Sequence, residues 1–429
     1  GVARMKIEIL GGRVIDPARD ADAVANVYVA AGRIAAIGDA PEGWSASRTI
    51  DARGLVVCPG LVDLAARLRE PGFEHKATLE SELDAACAGG VTSLACPPDT
   101  DPPLDEPGLV EMLTHRARLQ NRVRVHPVGA LTQRLEGAEI TEMNELAEAG
   151  CVAFSQADRP VTDTQVLLRA MQYAATFGFA VWLRAQDAWL GRGGVAHEGE
   201  IATRLGLAGV PAIAESIALA TLIALARETG VRLHVCRVSA AESVALIRDA
   251  KRSGLAITCD VAIHHVHLCD IDIGWFDPLA RFAPPLRGTR DRDALRQGLR
   301  DGTIDAIASD HTPVDDDAKQ LPFAESEAGA TALELLLPLT LKWATEAGIA
   351  LPQALARITS RAGDVLGVAN AGRIVAGAPG DLCIFDPQAH WRVERSALKS
   401  QGKNTPFLGH EMHAKVRWTL VGGQAVYEA

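Results

Sequence analysis

The 429 residues predict an α/β chain: a TIM (β/α)8 barrel with a small β-sandwich domain formed by both termini. Three features carry that prediction. Both ends are patterned as short strands and turns, eight apolar runs of strand length lie between them, and helical stretches separate several of those runs.

At the N-terminal end, Ile7–Leu10, Arg13–Ile15 and Ala25–Val29 read as strands, the first two divided by a Gly11-Gly12 turn. Gly380–Phe385 and Val416–Val421, the latter followed by Gly422-Gly423, repeat the pattern at the other end. Residues 5–58 and 366–429 are therefore assigned to the β domain, and 59–365 to the barrel. The eight central runs are Leu61–Leu64, Val91–Ala95, Val123–Gly129, Val152–Ser155, Phe179–Leu183, Arg232–Val238, Ala256–Val261 and Ile304–Ser309. Thr78 can cap a helix running to Gly89-Gly90, and Asp163 one ending near Gly178. Ala240–Arg252 carries the 3–4 apolar spacing of a helix before Gly254. Eight β/α repeats favour a closed barrel over a doubly wound sheet.

Composition sets outer limits. With 48% hydrophobic and 23% charged residues, long disorder and a collagen-like fibre are excluded. The formal charge of −11 argues against a nucleic-acid partner, and no run of ~18 apolar residues is available to span a membrane. Gly1–Arg4 read as an expression scar before Met5, with no signal peptide. Eight cysteines without a C-x-x-C pair sit mostly in apolar runs, the pattern of buried, reduced thiols in a cytoplasmic protein. Cys236, beside Arg237, is a weak candidate nucleophile. Twelve histidines would suffice for a metalloenzyme, so their positions decide. The basic residues are 35 arginines and only 8 lysines, with no lysine between Lys76 and Lys251.

A barrel of this kind works at the C-terminal ends of its strands. Four segments there and in the loops match a known family in order and spacing: Arg69-Glu70-Pro71-Gly72-Phe73-Glu74-His75-Lys76, Ala196-His197-Glu198-Gly199, Pro284-Pro285-Leu286-Arg287-Gly288 and Gly402-Lys403-Asn404-Thr405-Pro406-Phe407. Over nearly its whole length the chain resembles the long, type I dihydroorotases of the amidohydrolase superfamily. The resemblance implies an amidohydrolase-type barrel that opens or closes the dihydroorotate ring in pyrimidine synthesis, using one or two divalent metals, usually zinc.

The same resemblance locates the metal ligands, and most are missing. The strand-one histidine pair is replaced by Ala65 and Arg67. The acidic bridge of strand four falls on Gln156 or Ala157, and the lysine gap removes any carboxylated lysine. The histidines of strands five and six are replaced by Arg184 and Arg237, leaving only the strand-eight aspartate, Asp310. Alanine has no donor atom, glutamine is a poor ligand, and a guanidinium stays protonated and repels a cation. Asp310, the implied general base, would face water without a metal to lower its pKa from about 15.7. Of the implied substrate contacts, Arg69 remains, whereas Asp99, Ala283 and Val314 replace two asparagines and a histidine.

These substitutions predict that one or two of Arg67, Arg184 and Arg237 fill the vacated metal cavity and pair with Asp310. His264, His265 and His267 are read as a satisfied or exposed group, His311 as hydrogen-bonding locally, and Asp315–Asp317 as a solvated loop. The resemblance then implies a non-catalytic dihydroorotase homologue without cofactor, dimeric, that assembles with the catalytic chain of aspartate transcarbamoylase. Two other readings stand beside it: a working cyclic amidohydrolase with relocated zinc, and a sensor that holds a small carboxylate through Arg69 without turnover.

Overall fold

The computed structural model describes residues 5–429; Gly1–Arg4, read above as a scar, lie outside them. The eight central runs are strands Leu61–Asp63, Val91–Cys96, Arg124–Ala130, Ala153–Ser155, Ala180–Leu183, Arg232–Val235, Ile257–Ala262 and Ala306–Ala308. They pair side by side in chain order as one parallel sheet. Strands one and eight meet through a parallel bridge of Ala66 with His311, where Arg67 N donates to His311 O at 2.9 Å and His311 N to Ala65 O at 3.1 Å. No reversal of strand order occurs, so the sheet is a barrel and not doubly wound.

Small residues and one aromatic fill its axis: Val62, Ala95, Val128, Ala153, Trp182, Ala306 and Ala308 are all buried together. Helix boundaries follow the capping signals. Thr78 Oγ1 accepts from Ser81 N at the start of Leu79–Ala88, and Asp163 caps Thr164–Phe177, which ends at a left-handed Gly178. Helix Ala241–Arg252 packs its apolar face of Val244, Ile247 and Ala250 inward.

Several strands stop sooner than their apolar runs, and the backbone gives the reason. Ala157 (φ 53°), Arg237 (φ 52°) and Asp310 (φ 49°), each two residues past a strand, are left-handed, as is Arg69 (φ 65°). Such residues cannot continue a strand, and left-handed non-glycine residues are uncommon and concentrate at functional sites.

The termini build a second sheet of eight strands. Lys6–Asp16, Ala21–Ala30, Arg33–Ile37, Arg48–Asp51 and Val56–Pro59 are joined to Leu382–Arg392, Glu411–Val421 and Gln424–Glu428. The two ends meet where Cys58 pairs with Cys383 across antiparallel strands. The β domain expected from both termini is present as one continuous hydrogen-bonded sheet, whose halves share a core of Ile7, Ile9, Val27, Ile50, Val57, Ile384 and Leu420. All eight cysteines are free thiols, seven of them buried. Among the described residues no helix is long and apolar enough to cross a membrane.

Candidate functional site

The left-handed turns after strands four, six and eight aim side chains at one point on the barrel axis. Arg67 is the most connected: Nε donates to Asp99 Oδ2 and Nη2 to Asp158 Oδ2, both at 2.9 Å. Its Nη1 donates to Thr312 Oγ1 at 2.8 Å and lies 3.4 Å from Asp310 Oδ1. Arg237 donates to Asp158 through Nη2, to Asp310 Oδ1 at 3.3 Å and to the Ala283 carbonyl at 3.2 Å through Nη1. Arg184 Nη1 stands 3.5 Å from Asp158 Oδ1, and its Nη2 donates to Gln186. Two of the three arginines thus pair with Asp310 as expected. The third, Arg184, reaches Asp158 instead.

Three guanidiniums balance the carboxylates of Asp99, Asp158 and Asp310. Burial alone would raise the Asp158 carboxyl, but Arg237, Arg67 and Arg184 outweigh it and hold that group far below the usual carboxylate range. Burial pushes the Asp310 carboxyl up, against the pull of Arg237 and Arg67. Arg67 and Arg237 are also buried, yet their aspartate partners outweigh burial and keep both guanidiniums charged.

This donor set does not fit zinc. Ala65 and Ala157 offer no ligand atom. Gln156, the other strand-four position, has its amide in use: Nε2 donates to Leu135 O at 2.8 Å and Oε1 accepts from Thr132 Oγ1 at 2.9 Å. The cavity left at the axis, bordered by Arg67, Arg237, Asp260 and Asp310, measures about 30 Å³, room for a water. His234, Cys236 and Asp260 bring ligand atoms within 4.8 Å of one another beside it. Both His234 nitrogens, however, are engaged, Nδ1 with Thr258 Oγ1 at 2.8 Å and Nε2 with Asp260 Oδ2 at 2.7 Å. Asp260 Oδ1 accepts from Arg237 N at 2.7 Å, and burial, with Asp260 nearby, pushes the Cys236 thiol far up. A cation there would meet two guanidiniums at the cavity wall. The same shift leaves Cys236 a protonated thiol, without the thiolate a nucleophile needs.

The positions implied to contact substrate have other uses. Arg69 Nε donates to the Pro313 carbonyl at 2.9 Å, and burial together with Arg67 brings its guanidinium down to about 10. Asp99 holds Arg67, Ala283 serves through its carbonyl, and buried Val314 donates its N–H to Asn404 Oδ1 at 3.1 Å. Outside the charge cluster an open mouth of about 350 Å³ is bordered by Arg69, Lys76, Asp99, Arg281 and Glu327, with Lys76 paired to Glu327 at 2.8 Å.

The matched sequence segments brace this mouth. Asn404 Nδ2 donates to Thr312 O at 2.9 Å and Gly329 O at 3.1 Å, fixing the loop after strand eight. Arg287 donates to Val210 O at 2.6 Å and Ser239 Oγ at 3.1 Å, and its Nη1 lies 3.2 Å from His197 Nδ1, so two of the segments lock together. His311 does not bond locally: its Nδ1 accepts from Ala332 N at 3.0 Å, which leaves the proton on Nε2 to be donated to buried Glu82 at 2.7 Å. His265 Nε2 donates to Pro284 O at 2.9 Å and His267 Nε2 to Leu339 O at 2.7 Å, so the His265-x-His267 pair is structural and buried or nearly so. His264 has no hydrogen-bond partner on either nitrogen and lies between Phe282 and Phe407; burial holds it down to about 3. Asp316 and Asp317 are exposed, but they open a short 3-10 helix, Asp316–Lys319, rather than lying in a loop, and Asp316 is tied to Arg395 at 2.9 Å. Asp158, where three arginines converge, was missed by sequence reasoning. Its only sequence signal was an acid directly after the strand-four positions.

Comparison with known proteins agrees with this architecture. Residues 54–243 match the family model described as dihydro-orotase-like. A "Dihydroorotase-like protein" of Pseudomonas aeruginosa is 44% identical over 424 residues, 99% of this chain and 100% of that protein. A "Dihydroorotase" of a Geobacter species (strain M21) is 40% identical over 428 residues, again 99% and 100%. Among solved structures, the L-hydantoinase (dihydropyrimidinase) from Arthrobacter aurescens superimposes with a TM-score of 0.88 at 24% identity, over 98% of this chain and 96% of that one, a likeness of fold.

Proposed function

From the premise that this chain belongs to the dihydroorotase-like family, we propose that it is a non-catalytic member, kept as a structural subunit that assembles with the catalytic chain of aspartate transcarbamoylase. One observation carries the non-catalytic half. Where the family resemblance places metal-binding imidazoles, Arg67, Arg184 and Arg237 are ion-paired to Asp158 and Asp310. Such a cluster commits its guanidiniums to carboxylates and offers no open coordination position, so it cannot lower the pKa of a bound water as a metal would. Asp310, implied to be the proton acceptor, is occupied by two guanidiniums.

Support for an assembly role lies in what is retained. The four matched segments hold the barrel mouth rigid through Asn404, Arg287 and Lys76, while the chemistry-bearing side chains are gone. That is the pattern expected where contact surfaces matter and turnover does not. The subunit would act as a dimer that gathers transcarbamoylase catalytic chains.

A second reading, an active cyclic amidohydrolase, is favoured by the name of the Geobacter relative. One preparation separates the two. The full chain is mixed with the transcarbamoylase catalytic chain of its own organism and run on a sizing column, with dihydroorotate turnover measured on the mixture and on the chain alone. Co-elution without turnover supports assembly, and turnover by the chain alone establishes the hydrolase. Separate elution removes the proposed partner.

A further inference from the structure

Away from the barrel, His390 and His413 stand directly opposite each other on the antiparallel strands Leu382–Arg392 and Glu411–Val421. Both are exposed, and their ring centroids are 4.3 Å apart at an interplanar angle of 62°. Among the described residues neither ring makes a hydrogen bond to the chain, so both imidazoles have nitrogen lone pairs to offer.

The pair is held in place by unusual backbone. Asp386 pairs with Lys415 and His390 with His413, so two extra residues bulge from one strand between these rungs. Opposite the bulge, Ala414 is left-handed at φ 73°, an uncommon conformation for a residue with a side chain. Trp391, next to His390, donates its indole N–H to the carbonyl of Ala414, next to His413, at 2.9 Å. Bulges re-aim side chains, and this one sits beside the facing rings.

We propose that His390 and His413 form a surface site for a divalent late transition metal such as Cu²⁺, Ni²⁺ or Zn²⁺. Imidazole suits these ions, with metal–nitrogen bonds of roughly 2.0–2.1 Å that small side-chain rotations of two rings this close can satisfy. Glu411, two residues from His413 in the strand, is paired in register with Arg392 and tied to it at 3.7 Å, so the protein ligands are the two imidazoles alone. Water fills the remaining positions. The two histidines also close the neck of the segment 393–410, which carries Asn404 to the barrel mouth. A metal bound there staples that segment at its base.

The test uses the full chain titrated calorimetrically with Cu²⁺, Ni²⁺ and Zn²⁺, beside His390→Ala, His413→Ala and, as a control, His410→Ala, all at exposed positions. The site predicts one ion per chain, tightest for Cu²⁺, weakened at least about tenfold by either of the first two substitutions and unchanged by the third. Copper spectra of the native chain carry two-nitrogen hyperfine structure, reduced to one in each single variant. Metal raises the thermal midpoint of the native chain and not of the variants. Native-like affinity in both His390→Ala and His413→Ala, or no binding by the native chain, overturns the proposal.

Discussion

Replacing Arg237 by methionine removes one guanidinium while keeping a long side chain, and the structure gives the cost. The side chain is 6% exposed, and it contacts Asp310 Oδ1 at 3.3 Å, Asp158, and the Ala283 carbonyl at 3.2 Å. Asp310, itself 5% exposed, would keep only Arg67, at 3.4 Å, longer than a strong charge-assisted hydrogen bond. Leaving a buried charge this poorly compensated costs about 3–5 kcal/mol. At about 1 °C per kcal/mol for a chain of this size, the thermal midpoint falls by about 3–6 °C. The loss depends on pH. Asp310 is already raised above its ordinary value by burial, and without Arg237 it rises further. A carboxyl raised in the folded state is least costly below its unfolded value, about 3.9, and destabilises increasingly as pH climbs through the folded value. The midpoint gap between variant and native is therefore smaller at pH 5 than at pH 8. Adding Asp310→Leu recovers part of the loss, with a coupling of about 1–3 kcal/mol in the double-mutant cycle. A variant within 1–2 °C of native at both pH values, by scanning calorimetry, would refute the claim that guanidinium neutralises Asp310.

Asp158→Asn costs about 3 kcal/mol, because Arg67, Arg184 and Arg237, all buried, lose the carboxylate they share, although that carboxylate is itself 36% exposed; denaturant midpoints check this. His265 and His267 are each held down to about 4 by burial, against an ordinary 6.5. Their unfolded forms take up protons first, so stability falls from pH 7 to pH 4 and gains nothing from these groups above pH 7, as a midpoint-versus-pH series will record. Histidine placed together at Ala65, Arg67, Arg184 and Arg237 restores imidazole donors around Asp310, and the variant is expected to copurify with zinc by elemental analysis. Arg237→His alone, still facing Arg67 and Arg184, is expected to gain none.

The barrel was legible because each of its strands is an apolar run of fitting length, and the caps at Thr78 and Asp163 act through their own side chains. The ends of those runs were not legible. A left-handed residue such as Arg237 or Asp310 looks like any other until its backbone is seen, and these residues decide where side chains point. The positions of Arg67, Arg184 and Arg237 came from the family resemblance, and their pairing with acid followed from charge. Asp158 escaped because its role depends on three guanidiniums converging from strands one, five and six, a long-range fact with no local pattern. His311 was misread for the same reason. Its partner Glu82 sits 229 residues away in the chain, and only closure of the barrel brings them together. The terminal sheet was recognised from alternation and turns, but pairing of Cys58 with Cys383, which makes it continuous, is invisible in either end alone.

The central claim is that a guanidinium–carboxylate cluster stands in this barrel where metal chemistry would occur. Dihydroorotate hydrolysis by the purified chain in saturating zinc, beside Asp310→Asn, tests it most directly. The account predicts no turnover above the uncatalysed rate in either. Zinc-dependent turnover by the native chain that disappears in Asp310→Asn would contradict it.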